Sequence, residues 1–169
     1  MKSKYLSIVL ATIFIHSPVD AATEVDDDWF IRIIAESPAE GLIDRSNILG
    51  QTARSNAKYD QHDLPELAPF GTPYLSVVFK HNDWQENSGE YNSDFKSLED
   101  ENTSWTFTVK SDDPNRSVTL KWEGEKHLDK MLMVDVLTGQ EFYPVIGGRI
   151  QEYYFNMGGY TERDFLWKY

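Results

Sequence analysis

Beyond residue 28, apolar and polar side chains alternate with period two over much of the chain, and that alternation predicts strands. In the run from Trp29 through Ala35, Trp29, Ile31 and Ile33 fall on one face and Phe30, Arg32 and Ile34 on the other, the pattern of a strand covered on both sides. Residues 104–110 alternate almost without error, and residues 117–122 do so again after Asp112-Asp113-Pro114-Asn115-Arg116. Pro114 fixes φ and lacks a ladder donor, and the flanking Asp and Asn bond nearby amides, so the interval reads as a turn and the two strands as a hairpin. Trp105, Phe107 and Val109 are then expected to share a core face with Val118, Leu120 and Trp122. Further strands are predicted at 74–79, 131–137, 150–156 and 163–169. Thr138-Gly139 and Gly158-Gly159 punctuate them, because glycine tolerates the positive φ of tight turns. No strong helix is predicted. Residues 44–57 carry Gly50 and a partial apolar stripe (Ile48, Leu49, Ala53, Ala57), at most a short turn. Residues 83–102, polar apart from Trp84, Tyr91, Phe95 and Leu98, read as a long loop with one edge strand, where function could sit. Seven or eight short strands with such punctuation predict an all-β, single antiparallel β-sandwich over residues 29–169.

The first residues have a different pattern. Lys2 and Lys4 precede an apolar stretch from Tyr5 to Ile15, too short to span a bilayer, and Val19-Asp20-Ala21 resembles a small-residue cleavage site. Residues 1–21 are therefore expected to be a signal peptide, followed by an acidic tail at 22–28. No later apolar run is long enough for a transmembrane helix, and the chain has no cysteine for a lipid anchor or a disulfide. The expected location is periplasmic, cell-surface or secreted, with stability supplied by burial alone. With 28 Asp+Glu against 16 Lys+Arg, the net charge of −12 has the wrong sign for binding phosphate backbones, so nucleic acid is not an expected partner. The acidic runs Asp26-Asp27-Asp28 and Glu99-Asp100-Glu101 read as solvated chain that sets the sign of the surface field.

Several segments, in order, carry a resemblance. They are Asn47-Ile48-Leu49-Gly50, residues 57–66 and 74–79, and Tyr91-Asn92-Ser93-Asp94-Phe95-Lys96. Residues 105–109, Leu120-Lys121-Trp122, residues 134–139, Tyr154-Phe155-Asn156 and Arg163-Asp164-Phe165-Leu166 complete the series. Together they resemble secreted bacterial β-sandwich modules of large exported proteins, often placed just before a sorting or anchoring domain. The resemblance implies an immunoglobulin-like or jelly-roll sandwich without established chemistry.

Candidate chemistry is sparse. Asp60, Asp63 and Glu66, with Asp44 and Asn47 nearby in sequence, supply hard oxygen ligands of the kind calcium takes, although their spacing matches no standard loop and a solvated turn is the simpler reading. No other cofactor is expected. Pro65 and Pro69 stiffen this stretch. Trp84, Tyr91 and Tyr153 are candidates for an exposed aromatic platform that would stack on a sugar, against the alternative that such rings fill the core. His62, His81 and His127 are scattered, and no nucleophile elbow, metalloprotease helix or phosphate loop appears. The sequence therefore predicts a non-catalytic module that binds an extracellular or envelope protein. A carbohydrate-binding module is the alternative, and a sandwich hydrolase the second alternative.

Overall fold

The computed structural model describes residues 27–56, 58–100, 102–124 and 126–169. The expected signal peptide and residues 22–26 of the acidic tail lie outside the described residues. The regular structure is nearly all β, with two single 3-10 turns and no α-helix among the described residues. The strands are β1 (Trp29–Ser37), β2 (Leu42–Thr52), β3 (Leu75–His81), β4 (Gly89–Tyr91), β5 (Ser93–Ser97), β6 (Ser104–Ser111) and β7 (Ser117–Glu123). They continue with β8 (Leu132–Asp135), β9 (Glu141–Phe142), β10 (Val145–Ile146), β11 (Arg149–Ile150), β12 (Tyr153–Asn156) and β13 (Glu162–Lys168). One sheet has the order β12-β7-β1-β2-β5 and the other β4-β3-β6-β13-β8-β9, with β10-β11 as a separate small hairpin.

The two sheets face each other across one apolar cluster. β1 contributes Trp29, Ile31 and Ile33, and β7 contributes Val118, Leu120 and Trp122 from the first sheet. β6 contributes Trp105, Phe107 and Val109, and β13 contributes Phe165 and Trp167 from the second. Period two puts these residues on one side of each strand. Ring geometry then locks the layers, with Trp122 and Trp167 edge to face at 5.3 Å and Trp29 and Trp105 likewise at 5.6 Å. A register shift between Ile33 and Ala35 explains why Ile33, Ile34 and Ala35 are all buried despite the alternation around them.

Three expectations are corrected. The strands at 104–111 and 117–123 share the core but not a hairpin: β6 pairs with β3 and β13, whereas β7 pairs with β1 and β12. The turn at 112–116 carries the chain from one sheet to the other, so the two apolar faces meet across the core. Arg116, 3% exposed, holds that corner by donating to Ser111 Oγ at 2.7 Å, to Asp112 Oδ1 at 2.8 Å, to the Tyr74 carbonyl and to Glu40.

Residues 42–52 form an 11-residue strand rather than a short turn. Its apolar period is masked because Asn47 and Gln51 are buried in it: Asn47 Nδ2 donates to Asp44 Oδ2 at 2.7 Å, while its Oδ1 has no hydrogen-bond partner among the described residues. Gln51 Nε2 donates to the Ser97 carbonyl at 2.7 Å and to Thr103 Oγ1 at 3.0 Å. Gly50 is needed in this strand, since a Cβ would lie 2.2 Å from the Trp29 carbonyl oxygen of the neighbouring β1.

The loop predicted at 83–102 contains two edge strands, β4 and β5, one at the border of each sheet. β5 pairs with β2 in parallel, from Ile48↔Ser93 to Thr52↔Ser97, a departure from a purely antiparallel sandwich. A parallel neighbour needs a long crossover, and residues 53–92 provide it by passing through β3 and β4 in the other sheet. The turn glycines behave as expected, with φ of 71° at Gly139, 69° at Gly158 and 89° at Gly159.

Candidate functional site

Among the described residues the excursion between β2 and β3 is the longest stretch between strands, and its part at 62–66 is held by hydrogen bonds. The Asn92 amide donates to the Leu64 carbonyl at 2.8 Å and the Glu66 amide to the Glu90 carbonyl at 2.9 Å, so residues 64–66 run along the outer edge of β4. Pro65 forms a bridge with Tyr91 at this edge. The Leu64 amide donates to Ser93 Oγ at 2.7 Å, and that hydroxyl donates to the His62 carbonyl at 2.7 Å, which ties the segment to β5 as well.

The carboxylates expected to gather calcium serve this backbone instead. Asp60 accepts the amides of Asn56 at 3.0 Å and His62 at 2.8 Å. Asp63 is buried and accepts the amides of Asp60 at 2.9 Å and Phe95 at 3.1 Å. Burial, helped by the charges of Asp60 and Asp94, pushes the Asp63 carboxyl up to about 6 against the pull of those two amides. Among the described residues no group of three or more acidic or histidine side chains is arranged to hold a metal ion, so Asp60, Asp63 and Glu66 do not form the expected calcium site. The physical reason is competition: backbone amides of the same excursion already occupy the oxygens of Asp60 and Asp63.

Trp84, Tyr91 and Tyr153 do not form an exposed platform, because they are 8%, 5% and 4% exposed. Trp84 and Tyr91 do come together, with ring centroids 5.0 Å apart, and His81 stacks flat on Trp84 at 3.5 Å while its Nε2 lies 3.2 Å from the buried carboxylate of Asp94. Tyr59 covers both rings from outside. Tyr153 stands on the opposite flank, in the edge strand β12, where its hydroxyl donates to Asp135 Oδ2 of the facing sheet at 2.9 Å. Apolar area wins in each case: these rings gain more by closing the two flanks of the core than by waiting in water for a ligand.

The feature that remains open lies beside the same excursion. A groove of about 710 Å³ runs between residues 66–74, the first half of β2 and the start of β3. Its outer lip is apolar, since Leu67 is 71% exposed and Phe70 fully so, and Ile43 is 44% exposed on the β2 side. Asp44 and Glu66 lie within it. The Asp44 carboxylate accepts the Ser46 amide at 3.2 Å, the Ser46 hydroxyl at 3.0 Å, Asn47 Nδ2 at 2.7 Å and the Val77 amide at 2.7 Å. One oxygen of Glu66 is buried with no hydrogen-bond partner among the described residues. Burial first, then the charges of Asp44 and Glu90, push the Glu66 carboxyl up to about 7, with Lys110 opposing them. Lys110 is itself committed to Glu90, 2.8 Å from each of its oxygens.

β4 pairs with β3 only over Phe79–His81, and the Val77 amide, turned away from β6, is met by the Asp44 side chain rather than by another strand. This edge is covered: Leu75 is 8% exposed and Val77 fully buried.

No protein-family model, curated protein or solved structure matches the chain. Among the described residues no helix is long and apolar enough to cross a membrane. Sequence reasoning singled out Glu66 but missed Leu67 and Phe70. The available signal was an apolar Leu and Phe inside Leu64-Pro65-Glu66-Leu67-Ala68-Pro69-Phe70-Gly71-Thr72-Pro73, where prolines forbid a regular ladder and so leave large side chains without a sheet face.

Proposed function

We propose that this domain is an exported, non-catalytic binding module that recognises another extracellular or envelope protein through the segment 64–76. The observation that carries the reading is the exposure of Leu64, Leu67 and Phe70, at 56%, 71% and 101%, in a segment whose start, residues 64–66, is tied to β4 and β5. Large apolar side chains clustered in water beside a groove mark an interaction surface. The sheet-switching connections β6 to β7 and β12 to β13 support an immunoglobulin-like or jelly-roll sandwich as the scaffold. The acidic surface, with a net charge of −12, favours encounter with basic partners.

A photoreactive phenylalanine analogue placed at Phe70 in the producing cell tests the reading. The expected result is one discrete adduct whose protein component, once identified and purified, binds the domain again in isolation. The same analogue at Tyr154, exposed on the far edge strand, is expected to give no such adduct. An absence of adduct at Phe70, or identical adducts from both positions, overturns the assignment.

A further inference from the structure

We propose that a second, smaller cleft, between Tyr59 and the turn joining β3 to β4, binds one ring of a neutral hexopyranose. The cleft has a volume of about 230 Å³, room for a single sugar ring, and shares no lining residue with the groove, so this reading and the one above stand or fall separately. Its apolar wall is an aromatic corner. Tyr59 is 40% exposed, and its ring meets that of Trp84 at a centroid distance of 6.0 Å and an angle of 61°. Trp84 and Tyr91 form the buried side of that corner, which leaves Tyr59 as the ring that faces water. The face of a pyranose that carries axial C–H groups packs on such a ring while the hydroxyls stay at the rim.

The rest of the lining is polar. Asp83, Gln85, Glu86 and Asn87 come from the turn and Lys58 from beside Tyr59, with no aliphatic residue among them. Carboxylates and side-chain amides are planar two-point groups that match a pair of neighbouring hydroxyls, whereas a cleft for an apolar ligand is lined by apolar groups. The Trp84 indole N–H adds a donor: it makes no hydrogen bond among the described residues and is not sealed in the interior as that of Trp167 is. The framework under these groups is held. The Asn87 amide donates to the Trp84 carbonyl at 2.9 Å, the Ser88 hydroxyl to the Gln85 carbonyl at 2.7 Å and the Tyr91 hydroxyl to the Asn87 carbonyl, while His81 stacks on Trp84. Gln85 has a φ of 50°, a conformation uncommon outside glycine that concentrates at ligand-holding turns. Asp83 and Glu86 against Lys58 leave the cleft negative, in a chain whose net charge is −12, so a uronic or sialic acid is disfavoured and a neutral sugar selected.

Titration of the isotope-labelled protein with the methyl glycosides of glucose, galactose and mannose, and with the matching uronates, tests the proposal by amide and indole resonances. A single ring is expected to bind with a dissociation constant of about 1–10 mM. At least one of the neutral glycosides shifts the Trp84 indole N–H and the side-chain amides of Gln85 and Asn87 with saturation in that range, and its uronate binds about threefold or more weakly. Tyr59→Ala is expected to weaken binding about tenfold while Tyr59→Phe, which keeps the ring face, retains it. The shift map of the wild-type protein is a readout independent of either variant. No saturable shift with any neutral glycoside, shifts that map outside the cleft, uronates that bind as well as their neutral counterparts, or a Tyr59→Ala variant that binds like wild type overturns the inference. None of these outcomes bears on the Phe70 adduct.

Discussion

Removing the hydroxyl of Tyr153 tests what holds the flank opposite the groove. Asp135 is fully buried in β8 and is surrounded by donors from both sheets. Arg163 Nε reaches Oδ1 at 3.3 Å and its Nη2 pairs with Oδ2, the Leu137 amide donates to Oδ1 at 3.1 Å, and Tyr153 donates to Oδ2 at 2.9 Å from the facing sheet. Burial alone would raise the Asp135 carboxyl, but the Arg163 guanidinium and the Tyr153 hydroxyl outweigh it and hold it below the usual range. The same surroundings push the Tyr153 phenol up to about 12, burial first and the Asp135 carboxylate second. Tyr153→Phe keeps the ring and deletes one hydrogen bond to a buried charge, at a cost of about 1.5–3 kcal/mol. Asp135→Asn keeps the shape and leaves a buried guanidinium without its counter-charge, at about 3–5 kcal/mol. Urea unfolding followed by tryptophan fluorescence reads both. Because the Asp135 pKa is depressed, its contribution is complete above the unfolded carboxyl value near ~3.9 and is lost as pH falls through the folded one. The gap between wild type and Asp135→Asn therefore closes in acid. A Tyr153→Phe variant within about 0.5 kcal/mol of wild type would refute the argument that this contact pins the two sheets together.

Two further outcomes follow from the same physics. Glu66 and Asp63 have raised pKa values of about 7 and about 6, so between pH ~4 and ~7 the folded state keeps protons that the unfolded chain has lost, and stability declines as pH rises through that window. Glu66→Gln is expected to flatten that decline, and a melting temperature with the wild-type slope from pH 5 to 7 would contradict it. Gly50→Ala places a Cβ 2.2 Å from the Trp29 carbonyl oxygen and 2.9 Å from the Phe30 Cα, both backbone atoms. The strands β1 and β2 must part, so a loss of about 3 kcal/mol in urea unfolding is expected, and an unchanged midpoint would show that this edge of the sheet yields freely.

The strands whose inward faces are mostly apolar, β1, β6, β7 and β13, were readable because burial chooses most of their inward side chains. β2 was hidden because Gln51 and Asn47 occupy inward positions and take their partners from residues up to 52 positions away, which no local pattern records. Alternation also names a face without naming a neighbour: Phe107 and Leu120 are both core residues, yet their strands belong to different sheets. The site divides the same way. Residue type marked Asp63 and Glu66 as groups with chemistry, but the Phe95 amide that claims Asp63 arrives from another strand, 32 residues on. Asp135 reads in sequence as an outward polar position between Val134 and Val136, and its pairing with Arg163 needs the register Phe165↔Asp135 between β13 and β8 before it can be seen.

The same need for distant partners decides how the two ends of β3 are covered, one by chain and the other by a side chain. Residues 64–66 lie along β4 because Leu64 has a carbonyl for Asn92 and Glu66 an amide for Glu90, while Pro65 between them needs neither. Further along, Pro69 and Pro73 lack the donors with which the chain could zip onto β3, and their fixed φ carries the backbone away before it turns into Tyr74. The excursion therefore cannot fill the edge it passes. Asp44 supplies a side-chain acceptor for the Val77 amide in place of a strand, which relieves one unpaired donor without closing the groove.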